Sequence, residues 1–264
     1  MAIRFICIFG VARTGSNLLF SLLRNCKNLN LKYELFHPKG VYATKPEARN
    51  ALSAAAGCST FGDEDLISWR ALHPAKTLDV LYEAGGGDPL IFKIFPDHLP
   101  REMLANEIIP RGDVGFLILR RRPIESYISI VKAKNSKTYK GVDTSAFHPT
   151  LRPVHFLKWA DRTREWYDWL LRELATAKQN HAELSYERDV GVADSNEALS
   201  HIVHAMNSVG LKPIHIKNKH VSSIQRQDRV DRYQDRVSNW EEFKTALQSD
   251  EAHAQILRWA ERAP

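Results

Sequence analysis

The sequence predicts an α/β fold, a three-layer sandwich built on a central, mainly parallel sheet of about five strands. Three observations predict it. Short apolar runs alternate along the chain with segments whose apolar residues recur at helical spacing, the order expected of strands joined by crossover helices. The run VGFLILR at residues 114–120 is apolar on both faces until its last residue, as a central strand covered on both sides by helices should be. The first run, FICIF at residues 5–9, stops at a glycine-bounded turn that opens straight into a helix.

That first element occupies residues 4–26, RFICIFGVARTGSNLLFSLLRNC. The strand ends at Gly10, the turn runs from Val11 to Gly15, and Leu18, Leu19, Leu22, Leu23 and Cys26 then recur at helical spacing. Such a turn lines up the backbone N–H groups of Gly15, Ser16, Asn17 and Leu18 at a helix N-terminus, where the partial positive charge favours an anion. Arg13, Thr14, Ser16 and Asn17 add side-chain donors. The stretch is a candidate phosphate cradle and makes the sandwich P-loop-like. Against the nucleotide-binding loop GxxxxGK[ST], Gly10 and Gly15 keep the spacing, but Ser16 stands in the lysine position and Asn17 in the hydroxyl position. The positive charge has moved into the loop, to Arg13, which argues against an ordinary ATPase or kinase.

The chain then reads in order. Residues 31–36 (LKYELF) form a second strand in which Glu34 is a carboxylate among largely apolar neighbours. Thr44 can cap a helix over residues 45–56, with Pro46 in its first turn and Glu47 three residues after the cap. Residues 61–84 read as two helical pieces broken at Pro74 and closed by Gly85, Gly86 and Gly87. The third strand, residues 89–95, is interrupted by Lys93, a cation that either snorkels to an edge or faces a ligand, and His98 follows beyond Pro96. The apolar fourth strand ends in Arg120, Arg121 and Arg122. Pro123 can then open a helix, since its missing N–H is one of those left unpaired there. Residues 135–153 have no period and read as a long loop of the kind that covers a site. The longest helix, residues 154–178, carries Phe156, Trp159, Trp166, Leu170 and Leu174 on one stripe, a core face rather than a stacking platform for bases. A fifth strand at residues 182–187, a helix over residues 197–209 and a last helix from Asn239 or Trp240 complete the pattern. In parallel sheets of this kind ligands bind beyond the strand C-termini, and the Arg13 loop, Glu34, Lys93, His98 and Arg121 all lie near or past such ends.

Length and composition bound the rest. With 264 residues, 44% of them hydrophobic, and no Pro/Gly/Ser-rich linker, residues 1–264 are expected to form one domain. Cys7, Cys26 and Cys58 suit reduced thiols, and no Cys/His spacing suggests a metal. No run approaches eighteen apolar residues and no basic region precedes an apolar leader, so a cytoplasmic, soluble protein without a transmembrane segment is expected. The net charge of +6 is compatible with nucleic acid, but basic residues are interleaved with acidic ones nearly everywhere except at Arg120–Arg122. A small polyanionic ligand explains that focus, and no nucleic-acid partner is expected.

The second informative stretch, LRRRPIESYIS at residues 119–129, places Arg121 at the strand end and Ser129 eight residues on, an arginine fork and a hydroxyl suited to a second phosphate. The two motifs together resemble those of the sulfotransferases that use 3′-phosphoadenosine 5′-phosphosulfate, most closely the bacterial carbohydrate sulfotransferases that read R[ST]GSxLL at the first loop. The resemblance implies a 5′-phosphosulfate loop at Arg13, Thr14, Gly15, Ser16, Asn17 and Leu18 and a 3′-phosphate clamp at Arg121 and Ser129. Tyr186, followed by Glu187, resembles a pair near the adenine pocket, and Gln227 and Arg229 resemble a tail that closes over the nucleotide. It further implies a hydroxyl of a carbohydrate or glycolipid as acceptor, Arg13 and Lys93 as the cations on developing charge, and Glu34 or His98 as base. Arg13 replaces the loop lysine of the animal enzymes, and Lys93 and His98 stand five apart where those enzymes place a lysine and a histidine two apart. The scheme needs no metal, and a homodimer is compatible with it. A P-loop kinase or other nucleotide phosphotransferase and a non-catalytic polyanion-binding module are the rival readings.

Overall fold

The computed structural model describes residues 2–40, 46–59, 62–136, 143–211, 214–217, 232–262 and 264. Along the chain lie β1 (Phe5–Phe9), α1 (Ser16–Leu23), β2 (Asn30–Tyr33), α2 (Pro46–Ala55), α3 (Asp63–Leu72), α4 (Pro74–Ala84) and β3 (Leu90–Ile94). They are followed by the short α5 (Arg101–Met103), β4 (Val114–Arg120), α6 (Pro123–Ser136), α7 (Pro153–Thr176) and β5 (His181–Ser185). The chain closes with α8 (Ser195–Ser208), α9 (Trp240–Gln248) and α10 (Glu251–Glu261). Among the described residues the sheet has five strands in the order β2-β3-β1-β4-β5, and every pairing is parallel. The fold is α/β and consistent with a P-loop-like sandwich.

β1 is the middle strand, and all five of its residues are buried because both faces are covered. Phe5, Cys7 and Phe9 pack with Leu52, Leu78 and Trp166 of α2, α4 and α7, while Ile6 and Ile8 pack with Leu19 and Leu23 of α1 and Ile202 of α8. Burying a side chain of this size contributes about 1.5–3 kcal/mol, so the sheet is the rigid part that holds the loops at its C-terminal edge. A third cluster, around Ile128, Phe156, Phe243 and Leu257, binds α6, α7, α9 and α10 to each other. The stripe on α7 is therefore core, as its spacing predicts. Cys7 and Cys26 are buried free thiols, and burial pushes the Cys26 thiol up to about 11. Among the described residues no helix is long and apolar enough to cross a membrane.

Several boundaries differ from the sequence reading, that of β5 among them, which ends at Ser185 and not at residue 187, so that Tyr186 and Glu187 lie in the turn beyond it. β2 ends at Tyr33, not at residue 36, because Tyr33 adopts a left-handed φ of 47° and its register against β3 breaks after Leu31. Its ring stacks on Phe20 at 4.6 Å, and its hydroxyl accepts from Arg24 Nε at 2.7 Å, which offsets the strained backbone. Glu34 thus sits in the turn beyond the strand. The C-terminal helix is divided in two, since Asp250 Oδ1 accepts from the backbone N–H of His253 at 3.0 Å and starts α10. The described part of the 135–153 loop is tied down: Lys132 Nζ donates to the carbonyl of Thr144, and Asn239 exchanges two hydrogen bonds with Leu151. Thr44 lies outside the described residues.

Candidate phosphate-binding edge

Because the strands are parallel, the segments that follow them emerge at one edge. After β1, the backbone N–H of Gly10 donates to the Ile94 carbonyl at 3.3 Å, and Thr14 Oγ1 donates to the Val11 carbonyl at 2.9 Å, closing the turn. Thr14 is 1% exposed, so its hydroxyl holds the loop together. Arg13 and Gly15 have positive φ, 71° and 91°, which turn the chain sharply enough to begin α1. The residue before α1 is Gly15, which has no side chain to cap the helix, and the first-turn N–H groups of α1 are the kind that an anion satisfies.

The neighbouring strand supplies the buried cation. Lys93 is 1% exposed, and its Nζ donates to Ser16 Oγ and Asn17 Oδ1 at 3.0 Å each and pairs with Glu34 Oε1 at 3.0 Å. It does not snorkel away from the edge; it meets the residue that stands in the lysine position of the loop. For Glu34, burial acts to raise the carboxyl pKa, but Lys93 beside it, with His98 and His37, outweighs burial and holds it below the usual range. His37 Nε2 lies 3.9 Å from Glu34 Oε2. His98 packs its ring against Phe95 and His37, with centroids at 4.9 and 5.5 Å, and burial pushes its pKa down to about 4. Its Nδ1 has no partner among the described residues. At neutral pH Glu34 is therefore a carboxylate and His98 a neutral imidazole.

Beyond β4, Arg121 is fixed on three sides. Its Nη1 donates to the Arg13 carbonyl at 3.0 Å, its Nη2 reaches Glu125 Oε2 at 3.4 Å, and its guanidinium lies 4.4 Å over the Tyr186 ring. Arg13 Nε in turn donates to Ser129 Oγ at 2.9 Å, so the two motifs are in contact. The Nε atoms of Arg121 and Arg122 and the buried Ser126 Oγ have no partner among the described residues. Tyr186 fills the space over Gly15, where a Cβ would overlap its ring, and it is wedged between the loop and Arg121. Glu187 Oε1 accepts from the backbone N–H of Arg122 at 3.0 Å. Gln227 and Arg229 lie outside the described residues.

The structure thus brings Ser16, Asn17, Glu34 and Lys93 into one bonded group with His98 beside it, and Arg13, Arg121, Ser129 and Tyr186 into a second, the two meeting at the turn between β1 and α1. Sequence reasoning missed Glu125, which is 6% exposed and binds both Arg121 and Arg236. Its place four residues after Arg121, in the first turn of α6, is the available signal.

No known protein-family profile and no curated protein matches this chain. Among solved structures, an unliganded sugar kinase from Janibacter sp. aligns over 80% of this chain and 99% of its own, with 17% identity and a TM-score of 0.34. A likeness that distant carries no argument about activity, which has to come from the residues themselves.

Proposed function

We propose that the protein is a sulfotransferase that moves a sulfuryl group from 3′-phosphoadenosine 5′-phosphosulfate to a hydroxyl group. The observation that carries this reading is the contact between two anion sites at one edge. Arg13 Nε meets Ser129, Arg121 meets the Arg13 carbonyl, and the Lys93–Glu34 pair joins the same loop through Ser16 and Asn17. The unpartnered donors of Arg121, Arg122 and Ser126 fit an anion there, and the uncapped α1 terminus fits a second. The acceptor class, a carbohydrate or glycolipid hydroxyl, rests on the resemblance of the motifs.

The nucleotide supplies the sulfuryl group and leaves as adenosine 3′,5′-bisphosphate. Arg13 and the α1 N-terminus hold the 5′ end, and Arg121 with Ser129 holds the 3′-phosphate. Lys93 offsets the negative charge that grows on the bridging oxygen as its bond to sulfur lengthens. Glu34 takes the proton of the acceptor hydroxyl while that oxygen attacks sulfur, so an O–H and an S–O bond break as a new S–O bond and a carboxyl O–H form. As Lys93 turns towards the anion, its hold on Glu34 weakens and the carboxylate becomes a stronger base.

A thermal-shift series with adenosine 3′,5′-bisphosphate, AMP, ATP, GTP and NAD tests the proposal, since a ligand at a hundred times its Kd stabilises by about 2.7 kcal/mol. The bisphosphate is expected to give the largest shift. A larger shift with ATP would favour a phosphotransferase, and salt-sensitive binding without nucleotide preference would favour a polyanion-binding module.

A further inference from the structure

Arg236, in the segment before α9, is 1% exposed and donates from Nη1 to Glu125 Oε1 at 2.7 Å. The other oxygen of the same carboxylate receives Arg121 Nη2 at 3.4 Å. One buried carboxylate is thus divided between two guanidinium groups, one at the proposed 3′-phosphate site and one 115 positions further along the chain. A second tie, a side-chain hydrogen bond between Tyr233 and Arg122, fastens the same segment to the next residue of the motif. Asn239 anchors its far end through both backbone groups of Leu151.

We infer that Arg236 is a positioning residue for Arg121, acting through Glu125. The inference rests on the sulfotransferase reading of the edge. A lone Glu125 would neutralise Arg121 and compete with an incoming phosphate for its donors. Sharing the carboxylate with Arg236 leaves the three groups with a net charge of about +1, and the shorter bond to Arg236 draws Glu125 away from Arg121. The Tyr186 ring and the Arg13 carbonyl then fix where Arg121 points, and its Nε is left to donate. Arg236 itself need not touch the nucleotide. Its effect is on how strongly the site prefers a nucleotide bearing a 3′-phosphate over one without it.

The test compares the Kd of adenosine 3′,5′-bisphosphate with that of AMP by calorimetry, with the melting temperature of each unliganded variant as a check on folding. Arg236→Gln is expected to weaken the bisphosphate by about tenfold, equivalent to 1.4 kcal/mol, and to leave AMP nearly unchanged. Arg236→Lys, which keeps the charge, should restore most of the preference. A purely structural role would lower the melting temperature and either spare both nucleotides or weaken both alike, and that result overturns the inference. If Arg236→Gln does not fold, Glu125→Gln answers the question, because removing the shared charge should raise the preference for the bisphosphate; an unchanged preference overturns the inference. Wild-type protein that binds the two nucleotides equally overturns the proposed function together with this inference, whereas wild-type preference with unaltered variants overturns the inference alone.

Discussion

Arg13 Nε donates to Ser129 Oγ across 2.9 Å, joining a loop that follows β1 to a helix that follows β4. The motifs lie on different strand ends, which from sequence suggests two separable phosphate sites. Their contact, together with the Arg121 bond to the Arg13 carbonyl, makes one braced unit. Arg121→Ala should weaken adenosine 3′,5′-bisphosphate by roughly 1.5–3 kcal/mol, the range for hydrogen bonds to charged groups, and AMP by a smaller but measurable amount through the lost brace. In a double-mutant cycle of Arg13→Ala and Ser129→Ala, the coupling in bisphosphate affinity should lie at about 0.5–3 kcal/mol. Strict additivity would mean that the contact contributes nothing to binding.

Gly15 and Tyr186 make a second dependence. Gly15 has φ 91°, and a side chain there would both strain the backbone and overlap the Tyr186 ring. The left-handed conformation costs a non-glycine residue roughly 1–2 kcal/mol, and the overlap adds to it. Gly15→Ala should therefore lower the denaturation midpoint more in the wild-type background than in Tyr186→Ala, where the overlap is gone and only the backbone term remains. Equal losses in the two backgrounds would remove Tyr186 from its place over the loop.

Most of the fold can be read from sequence, and the reason is periodicity. Val114–Arg120 has the same bounds in sequence and structure because an apolar run flanked by charged residues leaves few alternatives. The loop at Arg13 is legible because glycine spacing encodes its backbone directly. What periodicity does not encode is how a side chain leaves its strand. Lys93 reads equally as a snorkelling or a ligand-facing residue, and only the neighbouring positions of Ser16, Asn17 and Glu34 decide between them. The end of β2 was hidden for a similar reason, since a positive φ at Tyr33 depends on Phe20 and Arg24, residues of another element. Glu125 is not legible in the same way, because its second partner, Arg236, is distant in the chain.

Glu34 and Lys93 predict a pH dependence. The carboxyl pKa is held below the ordinary value of 4.5 by Lys93, so the acid limb of kcat/KM, which reports the free enzyme, should lie below that value. Lys93→Met removes the cation and lets burial raise the carboxyl, so the limb should move to higher pH. Glu34→Gln should keep bisphosphate affinity but lower kcat by at least about a hundredfold, within the range for loss of a positioned base. His98→Asn should be milder. Near-normal turnover by Glu34→Gln would transfer the base to His98.

His98 gives the last prediction, and it concerns stability. Its imidazole is 4% exposed, and burial lowers its pKa from 6.5 to about 4 against the smaller opposing pull of Asp97 and Glu34. As pH falls below 6.5 the unfolded chain takes up a proton at this histidine, while the folded chain does not until about pH 4. The unfolded state therefore binds more protons throughout that window, and stability, full above the unfolded value, is lost as pH falls through it. The loss from this one group is on the order of 3 kcal/mol. Glu34 acts in the same direction, with its own loss confined to pH below 4.5 because its folded pKa lies below that value. His98→Asn keeps a polar side chain without the titration, and chemical denaturation of wild type and variant at half-unit steps from pH 4 to 7 measures the difference. The variant should show a flatter stability profile across the window and a relative gain at its acid end. Parallel profiles would mean that the histidine accepts its proton in the folded state, and a charged His98 beside Glu34 would then have to replace the neutral imidazole in the site.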